Sequence, residues 1–288
     1  MHNVSTTSTF IGFEHPYEDA NVVLVGLPFD GTTSFRPGTR FAPAAVRPDS
    51  YGLETYSPYL DLNMENYKFC DLGDIELPFG NTQKALESIY TTFDQIIKDG
   101  KRPLGIGGEH LVSLPIIEVL SKIYPDLCII HFDAHTDLRD DYMGEPLSHA
   151  SVIRRAWDLL GDNRIFQFGI RSGTQEEFQW AKSHTHLQPF NLNHLEDVIK
   201  QLQDRPVYIT IDLDVLDPSI FPGTGTPEPG GIDFNSLMWA IQQFTKLNHI
   251  VGADVVELSP HYDVSGVSTA TCCKVIREMA LLLAQNHL

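Results

Sequence analysis

The sequence predicts an α/β fold in which a mostly parallel sheet carries helices on both faces, and two observations predict it. Short apolar runs at residues 21–27, 103–107, 127–132, 164–170, 207–215 and 249–257 are each bounded by Gly, Pro, Asp or Asn, the pattern of strands buried on both faces. Stretches of helical period lie between several of them, and such alternation builds parallel sheets with helical crossovers. No internal repeat, low-complexity tract or shift of composition marks a linker, so residues 1–288 read as one domain.

The first run is followed at 26–47 by GLPFDGTTSFRPGTRFAPAAVR, which has little period of either kind and reads as a long ordered loop. Loops of that length in compact domains usually serve a site or an interface. The clearest helix carries Leu86, Ile89, Tyr90, Phe93, Ile96 and Ile97 on one face, with Asn81 and Thr82 to cap its start and Gly100 to stop it. After GGEH at 107–110 a further helix is expected from Leu111. Another follows Asp233, with Leu237, Met238, Ile241, Phe244 and Leu247 in phase and Trp239 expected in the core beside them. The last, STATCCKVIREMALLLA, is apolar enough to be buried, with Cys272 and Cys273 inside it.

Composition narrows the function. Acidic side chains number 38 against 20 basic ones, a net charge of −18 that repels nucleic acid and anionic lipid and favours small cationic partners. The cysteines Cys70, Cys128, Cys272 and Cys273 have no CxxC spacing, form no disulfide framework and fit a reducing cytoplasm. The N-terminal segment lacks the basic start and apolar stretch of a signal peptide, and no apolar run approaches the roughly 18 residues of a membrane helix. A cytoplasmic protein with neither nucleic acid nor membrane as partner is expected.

Chemistry gathers at the C-terminal ends of four runs. LGIGGEHL sets Glu109 and His110 after two glycines, and CIIHFDAHTD sets Asp133, His135 and Asp137 at alternate positions. VYITIDLDVLDP holds Asp212 and Asp214 in an otherwise apolar run, and IVGADVVELSP ends in Glu257. In an open parallel sheet these ends share one edge, where ligands bind, and side chains two apart on an extended chain face the same way. Carboxylates gathered there repel one another, and a buried unpaired one costs several kcal/mol or takes up a proton. Lys and Arg are absent from all four stretches, so a metal is the cation that answers them. Two imidazoles and four Asp carboxylates exceed the needs of one four-coordinate zinc. Two divalent ions about 3.5 to 4 Å apart, bridged by carboxylates, would use them all. An oxygen-rich set with some imidazole and no thiolate suits Mn²⁺ first, with Mg²⁺, Fe²⁺ and Zn²⁺ as alternatives.

These motifs resemble the signatures of the ureohydrolase family, the arginases and agmatinases, which are GGEH or GGDH, DAHxD, and SxDxDxxDPxxxPGxGxPxPGG. Here they read GGEH at 107–110, DAHTD at 133–137 and TIDLDVLDPSIFPGTGTPEPGG at 210–231, with Thr210 where Ser is usual. The likeness runs from about residue 26 to about residue 257. It implies a three-layer α/β/α fold, arginase-like, with a mostly parallel central sheet of about eight strands. It implies one manganese on His110, Asp133, Asp137 and Asp212 and a second on Asp133, His135, Asp212 and Asp214, with Asp133 and Asp212 bridging. Glu257 then corresponds to the carboxylate that grips the substrate guanidinium, and His149 in SHAS to the histidine near the leaving amine. Glu109 matches no ligand and falls behind them. The resemblance also implies a homo-oligomer, a trimer or hexamer.

Within that family the substrate is read from the loop after DAHxD, where arginases hold an α-carboxylate with an Asn and a Ser-rich segment. Here the loop reads DLRDDYMGEPLSHAS, with Asp140, Asp141 and Glu145 and no such Asn, which disfavours a carboxylate and suits a free ammonium tail. Asp140 and Asp141 are accordingly expected to bind substrate together with His149 and Glu257. The segment GLPFDGTTSFRPG resembles the agmatinase form of that loop. Agmatine, hydrolysed to urea and putrescine, is the expected substrate. Asp137 would carry a proton to the departing nitrogen, and His149 would exchange one with solvent. Alternatives are hydrolysis of guanidinobutyrate, guanidinopropionate or formiminoglutamate, for which Arg139 is the nearby cation; single-zinc amide deacetylation, which leaves Asp137 and His110 unexplained; and metal-dependent binding without catalysis. His131 is expected as a core histidine, and His261 as a candidate for the channel wall.

Overall fold

The computed structural model describes residues 4–5 and 8–286. Its strands are β1 (Val4–Ser5), β2 (Val22–Gly26), β3 (Tyr56–Ser57), β4 (Leu62–Asn63), β5 (Phe69–Ile75), β6 (Arg102–Ile106), β7 (Cys128–Phe132), β8 (Ile165–Ile170), β9 (His186–Pro189), β10 (Val207–Asp212) and β11 (Ile250–Val256). Nine of them form one sheet in the order β1-β5-β2-β6-β11-β10-β7-β8-β9, while β3 and β4 pair as a small separate ribbon. All neighbours in the large sheet run parallel except the short edge strand β1, which is antiparallel to β5. This is the expected architecture, eight parallel strands with one antiparallel addition.

The helices are α1 (Ala42–Ser50), α2 (Thr82–Lys98), α3 (Ser113–Ile123), α4 (Val152–Leu160), α5 (Gln175–His184), α6 (Leu195–Leu202), α7 (Phe234–Phe244) and α8 (Val267–Gln285). They cover both faces, because alternate strand residues point to opposite sides. Val22, Leu24, Ile130 and Phe132 pack on one side with α6, α7 and α8; Val23, Val25 and Ile129 pack on the other with α2, α3 and α4. Among the described residues no helix is long and apolar enough to cross a membrane.

Local chemistry sets the boundaries. Asn81 Oδ1 accepts from Lys84 N at 2.9 Å to start α2, and Asp233 Oδ1 does the same for Ser236 N at 2.7 Å in α7. After GGEH the chain makes a 3-10 turn at His110–Val112 before α3 begins at Ser113. The expected loop at 26–47 is irregular only as far as residue 38. A 3-10 turn at Thr39–Phe41 leads into α1, where Pro43 occupies a first-turn position that needs no N–H donor.

Strand β5 was not expected, because Asp71, Gly73 and Asp74 break its apolar run. Their charge is answered from α1: Arg47 Nε and Nη2 reach Asp71 at 2.8 and 3.0 Å, and Nη1 reaches Asp74 at 2.5 Å. Trp239 is a correction in the other direction, since it lies on the outer side of α7 and is 38% exposed. Cys272 and Cys273 are buried in α8 as expected.

Candidate metal centre

The four motif-bearing strands are neighbours, β6-β11-β10-β7, at the middle of the sheet. Register brings their ends level: Ile211 pairs with Phe132, Asp212 with Val256, and Val255 with Ile106. Asp133 and Asp212 therefore leave adjacent strands side by side, and Glu257 and the GGEH turn follow one residue beyond. The glycines of that turn are required, for a Cβ on Gly107 would stand 2.5 Å from Val256 Cα and one on Gly108 would stand 2.7 Å from Leu27 O. Asp137 and Glu257 both adopt left-handed backbone, φ 53 and 66, which costs non-glycine residues roughly 1 kcal/mol or more and re-aims each carboxylate into the crevice.

Around His110 three acids converge: its Nδ1 is 3.0 Å from Asp133 Oδ2, 3.3 Å from Asp137 Oδ2 and 3.3 Å from Asp212 Oδ2. The other nitrogen, Nε2, is 2.8 Å from Thr210 Oγ1, whose hydroxyl donates to Asp254 Oδ1 at 2.6 Å. Because the Thr210 proton is committed to Asp254, Nε2 of His110 is the protonated nitrogen. A second group lies beside the first, with His135 Nδ1 3.0 Å from Asp214 Oδ2 and 3.4 Å from Asp133 Oδ1. Asp133 belongs to both. His110, His131, Asp133 and Asp137 form one set whose donor atoms lie within 4.8 Å of one another, and Asp133, His135 and Asp214 form another.

As protein groups alone, these acids cannot all be ionised at neutral pH. Burial, then the charge of Asp133, pushes Asp137 up to about 7, and burial with Asp214 and Asp133 holds Asp212 well above the carboxylate range. Burial and the Glu109 charge raise Glu257 likewise. Burial would raise Asp133 too, but hydrogen bonds from His110, His131 and His135 outweigh it and keep Asp133 ionised. The donor set fits a hard or borderline divalent cation. Adjacent ligands of an octahedral ion at ~2.1 Å stand about 3.0 Å apart, close to the 3.0 to 3.3 Å that His110 Nδ1 keeps from its acids. The cluster can therefore hold metal.

His131, though near this set, is committed elsewhere. Gln167 Nε2 donates to its Nδ1 at 3.1 Å, so Nε2 carries the proton and donates to Asp133 Oδ2 at 2.9 Å. Gln167 is itself fixed by Thr136 O and Thr185 Oγ1, at 2.9 and 3.0 Å. His131 is thus a buried, satisfied histidine, as expected, that orients Asp133.

A cavity of about 220 Å³ opens on the cluster, lined by His135, Asp137, Asp212 and Glu257 together with Ser34, Tyr142 and His149. His149 Nε2 lies 3.2 Å from Ser34 Oγ, and burial lowers its pKa to about 4, so the ring is neutral. Glu257 lines the cavity with Oε1 accepting His110 N at 2.8 Å, which leaves Oε2 for a ligand.

Asp140 and Asp141 do not line this cavity, against expectation. Asp140 is held outward by Arg155, 2.8 Å away, and Asp141 closes a turn on Gly144 N at 3.0 Å. Glu145 is exposed in that same turn. From the same loop it is Arg139 and Tyr142 that face inward, the guanidinium 4.6 Å above the ring. His261 is also off the wall, exposed with its ring 4.7 Å from that of Phe41.

Two groups that hold the site in place went unnoticed in the sequence. Arg171, just beyond β8, binds the main-chain oxygens of Gly169, Asp214, Val215 and Glu228 at 2.6 to 3.2 Å and so clamps the loop carrying Asp214. Glu177 takes the Thr136 hydroxyl at 2.6 Å and the Leu138 N–H at 3.1 Å. Arg171 stands at a fifth strand end, FGIRSG, which was the available signal.

A parallel sheet whose central strand ends carry buried imidazoles and carboxylates around a small cavity defines the class, an α/β protein with a candidate metal centre at its sheet edge. The arginase family model matches residues 20–282. The chain belongs to the arginase family. It is 50% identical over 275 residues to the agmatinase of Bacillus subtilis, an alignment spanning 94% of this chain and 95% of that one. It is 33% identical to the guanidinobutyrase of Pseudomonas aeruginosa, covering 91% of this chain and 86% of the other. The crystal structure of the agmatine ureohydrolase of Thermoplasma volcanium superposes with a TM-score of 0.86 at 31% identity, covering 98% of this chain and 96% of that one.

Proposed function

We propose that the protein hydrolyses the guanidinium group of agmatine to urea and putrescine, with two manganese ions per chain. One ion would be held by His110, Asp133, Asp137 and Asp212, the other by Asp133, His135, Asp212 and Asp214, with Asp133 and Asp212 shared. What supports this reading is that Asp133 touches both imidazole groups, at 3.0 Å from His110 and 3.4 Å from His135, in a chain half identical to an agmatinase. Bound there, a pair of divalent cations supplies a water nucleophile activated at neutral pH and neutralises charge developing at the carbon.

The chain's own residues do the rest. Glu257 Oε2 receives guanidinium N–H groups in charge-assisted hydrogen bonds and fixes the planar carbon over the cluster. Asp137, facing the cavity, takes the proton released by the attacking water and passes it to the departing nitrogen as the C–N bond breaks. His149 is neutral and accepts a proton at a ring nitrogen for exchange with solvent. Ser34 and Tyr142 line the cavity wall beside His149, Ser34 Oγ 3.2 Å from its Nε2 and the Tyr142 ring edge-on to its ring. The partner is a small cationic guanidino compound, in keeping with the charge of −18.

A second reading has one observation in its favour. Arg139 lines the cavity where Asp140 and Asp141 do not, and a guanidinium there would suit a guanidino acid such as guanidinobutyrate. Against it, Arg139 stands 3.8 Å from Glu177 Oε2 and is stacked on Tyr142, so its charge is already answered. Urea release from agmatine, arginine and guanidinobutyrate decides between them: agmatine is expected to have the largest kcat/KM, and guanidinobutyrate in first place overturns the assignment.

A further inference from the structure

Glu109 stands beside His110, is fully buried, and has no part in the mechanism above. Its carboxylate takes three donors from one short segment: Thr32 N at 2.9 Å, the Thr32 hydroxyl, and the Thr33 hydroxyl at 3.1 Å. With the Thr32 proton given to Glu109, the lone pairs of that oxygen are free to accept, and His149 N donates to it at 3.0 Å. Two residues on, Ser34 Oγ meets His149 Nε2 at 3.2 Å. The main chain and the ring of His149 are thus both held by residues 32–34, and those residues are held by Glu109. His149 Nδ1 is buried with no hydrogen-bond partner among the described residues, so the ring is steered from its Nε2 side.

The same turn of chain serves two further purposes. The His110 ring faces the acid cluster, and the His110 N–H is taken by Glu257 Oε1 at 2.8 Å. One turn therefore sets the position of a cluster imidazole, of the carboxylate aimed at the guanidinium, and, through Thr32, of the proton-exchanging histidine. We propose that Glu109 is a positioning residue for the reaction, acting through the Thr32–His149 hydrogen bond to hold His149 in register with His110 and Glu257. This rests on agmatine hydrolysis at the site.

The test uses the full-length manganese-loaded protein and the variants Glu109→Gln, Thr32→Val, His149→Ala and Thr32→Val/His149→Ala. Thr32 is half-exposed on a loop, so Thr32→Val breaks the link while leaving Glu109 the Thr32 N–H and the Thr33 hydroxyl, and it decides the matter even if Glu109→Gln does not fold. Glu109→Gln and Thr32→Val are each expected to lower kcat for agmatine about 100-fold, the scale of a misplaced catalytic group, with little change in KM. Metal content by plasma emission and the melting temperature of Thr32→Val are expected to match the unmodified protein. In the His149→Ala background Thr32→Val is expected to cost less than about 2-fold more, since residues acting as a unit are not additive. Multiplicative losses in the double variant, unchanged kcat in Thr32→Val, or loss of metal in Thr32→Val would each overturn the proposal. An unmodified enzyme that releases no urea from agmatine refutes the function itself, and that result is read before any variant is made.

Discussion

His110 Nε2 and Thr210 Oγ1 are 2.8 Å apart, and the Thr210 hydroxyl continues to Asp254, which also receives the Tyr208 hydroxyl at 2.5 Å. This buried chain keeps a proton on His110 Nε2 and turns Nδ1 toward the acids. Thr210→Val keeps the shape and removes the acceptor, so it is expected to weaken Mn²⁺ binding about 10- to 100-fold. Thr210→Ser is expected to restore it. Titration of chelated protein with Mn²⁺ checks both.

The group around His135 is separable from the one around His110. His135→Ala or Asp214→Ala is expected to lower activity by orders of magnitude and to remove one ion per chain while the other stays. Metal analysis of dialysed protein reads this directly, and unchanged stoichiometry removes the two-ion assignment.

Chelation should make stability fall as pH rises. Burial lifts both Glu109 and Asp137 to about 7, in Asp137 with help from Asp133, so the metal-free fold keeps protons that the unfolded chain releases above about 4.5. Their stabilising contribution is complete below that value and is lost as pH rises through about 7. His110 and His135 add the same sign: burial lowers them, but their carboxylate neighbours win and hold both well above the usual imidazole range. Asp133, held low, opposes this only in strong acid, and His131 and His149, lowered by burial, oppose it below about 6.5 but are outnumbered by Glu109, Asp137, His110 and His135. The chelated protein is expected to melt at lower temperature at about pH 8 than at about pH 5, and saturating Mn²⁺ to flatten that slope because ligands bind metal deprotonated. A melting temperature that climbs with pH in chelator contradicts this.

Away from the site, Arg47 is 3% exposed and answers both Asp71 and Asp74. Arg47→Met leaves Asp71 buried without its partner, a loss of about 3 to 5 kcal/mol by urea denaturation, with kcat per folded molecule unchanged.

The centre was legible in the sequence because Asp133, His135, Asp212 and Asp214 interrupt runs that are otherwise apolar, and a strand end has one direction to face. Strand β5 was not, because the residue that neutralises Asp71 and Asp74 lies on α1, more than twenty positions earlier, and no local period reveals such a pair. The acidic loop misled for a related reason: charge on a loop carries no direction, and Arg154 and Arg155 on α4 draw Asp140 outward while Arg139 and Tyr142 turn in. Ser34 and Thr32 reach His149 across more than a hundred residues, a contact that hydroxyls in a polar loop do not announce.

Anomalous scattering at the manganese edge, from crystals grown with Mn²⁺, tests the central claim most directly. Two peaks on either side of the Asp133 carboxylate are predicted, one against His110 Nδ1 and the other against His135 Nδ1. A single peak, or density remote from Asp133, contradicts the account.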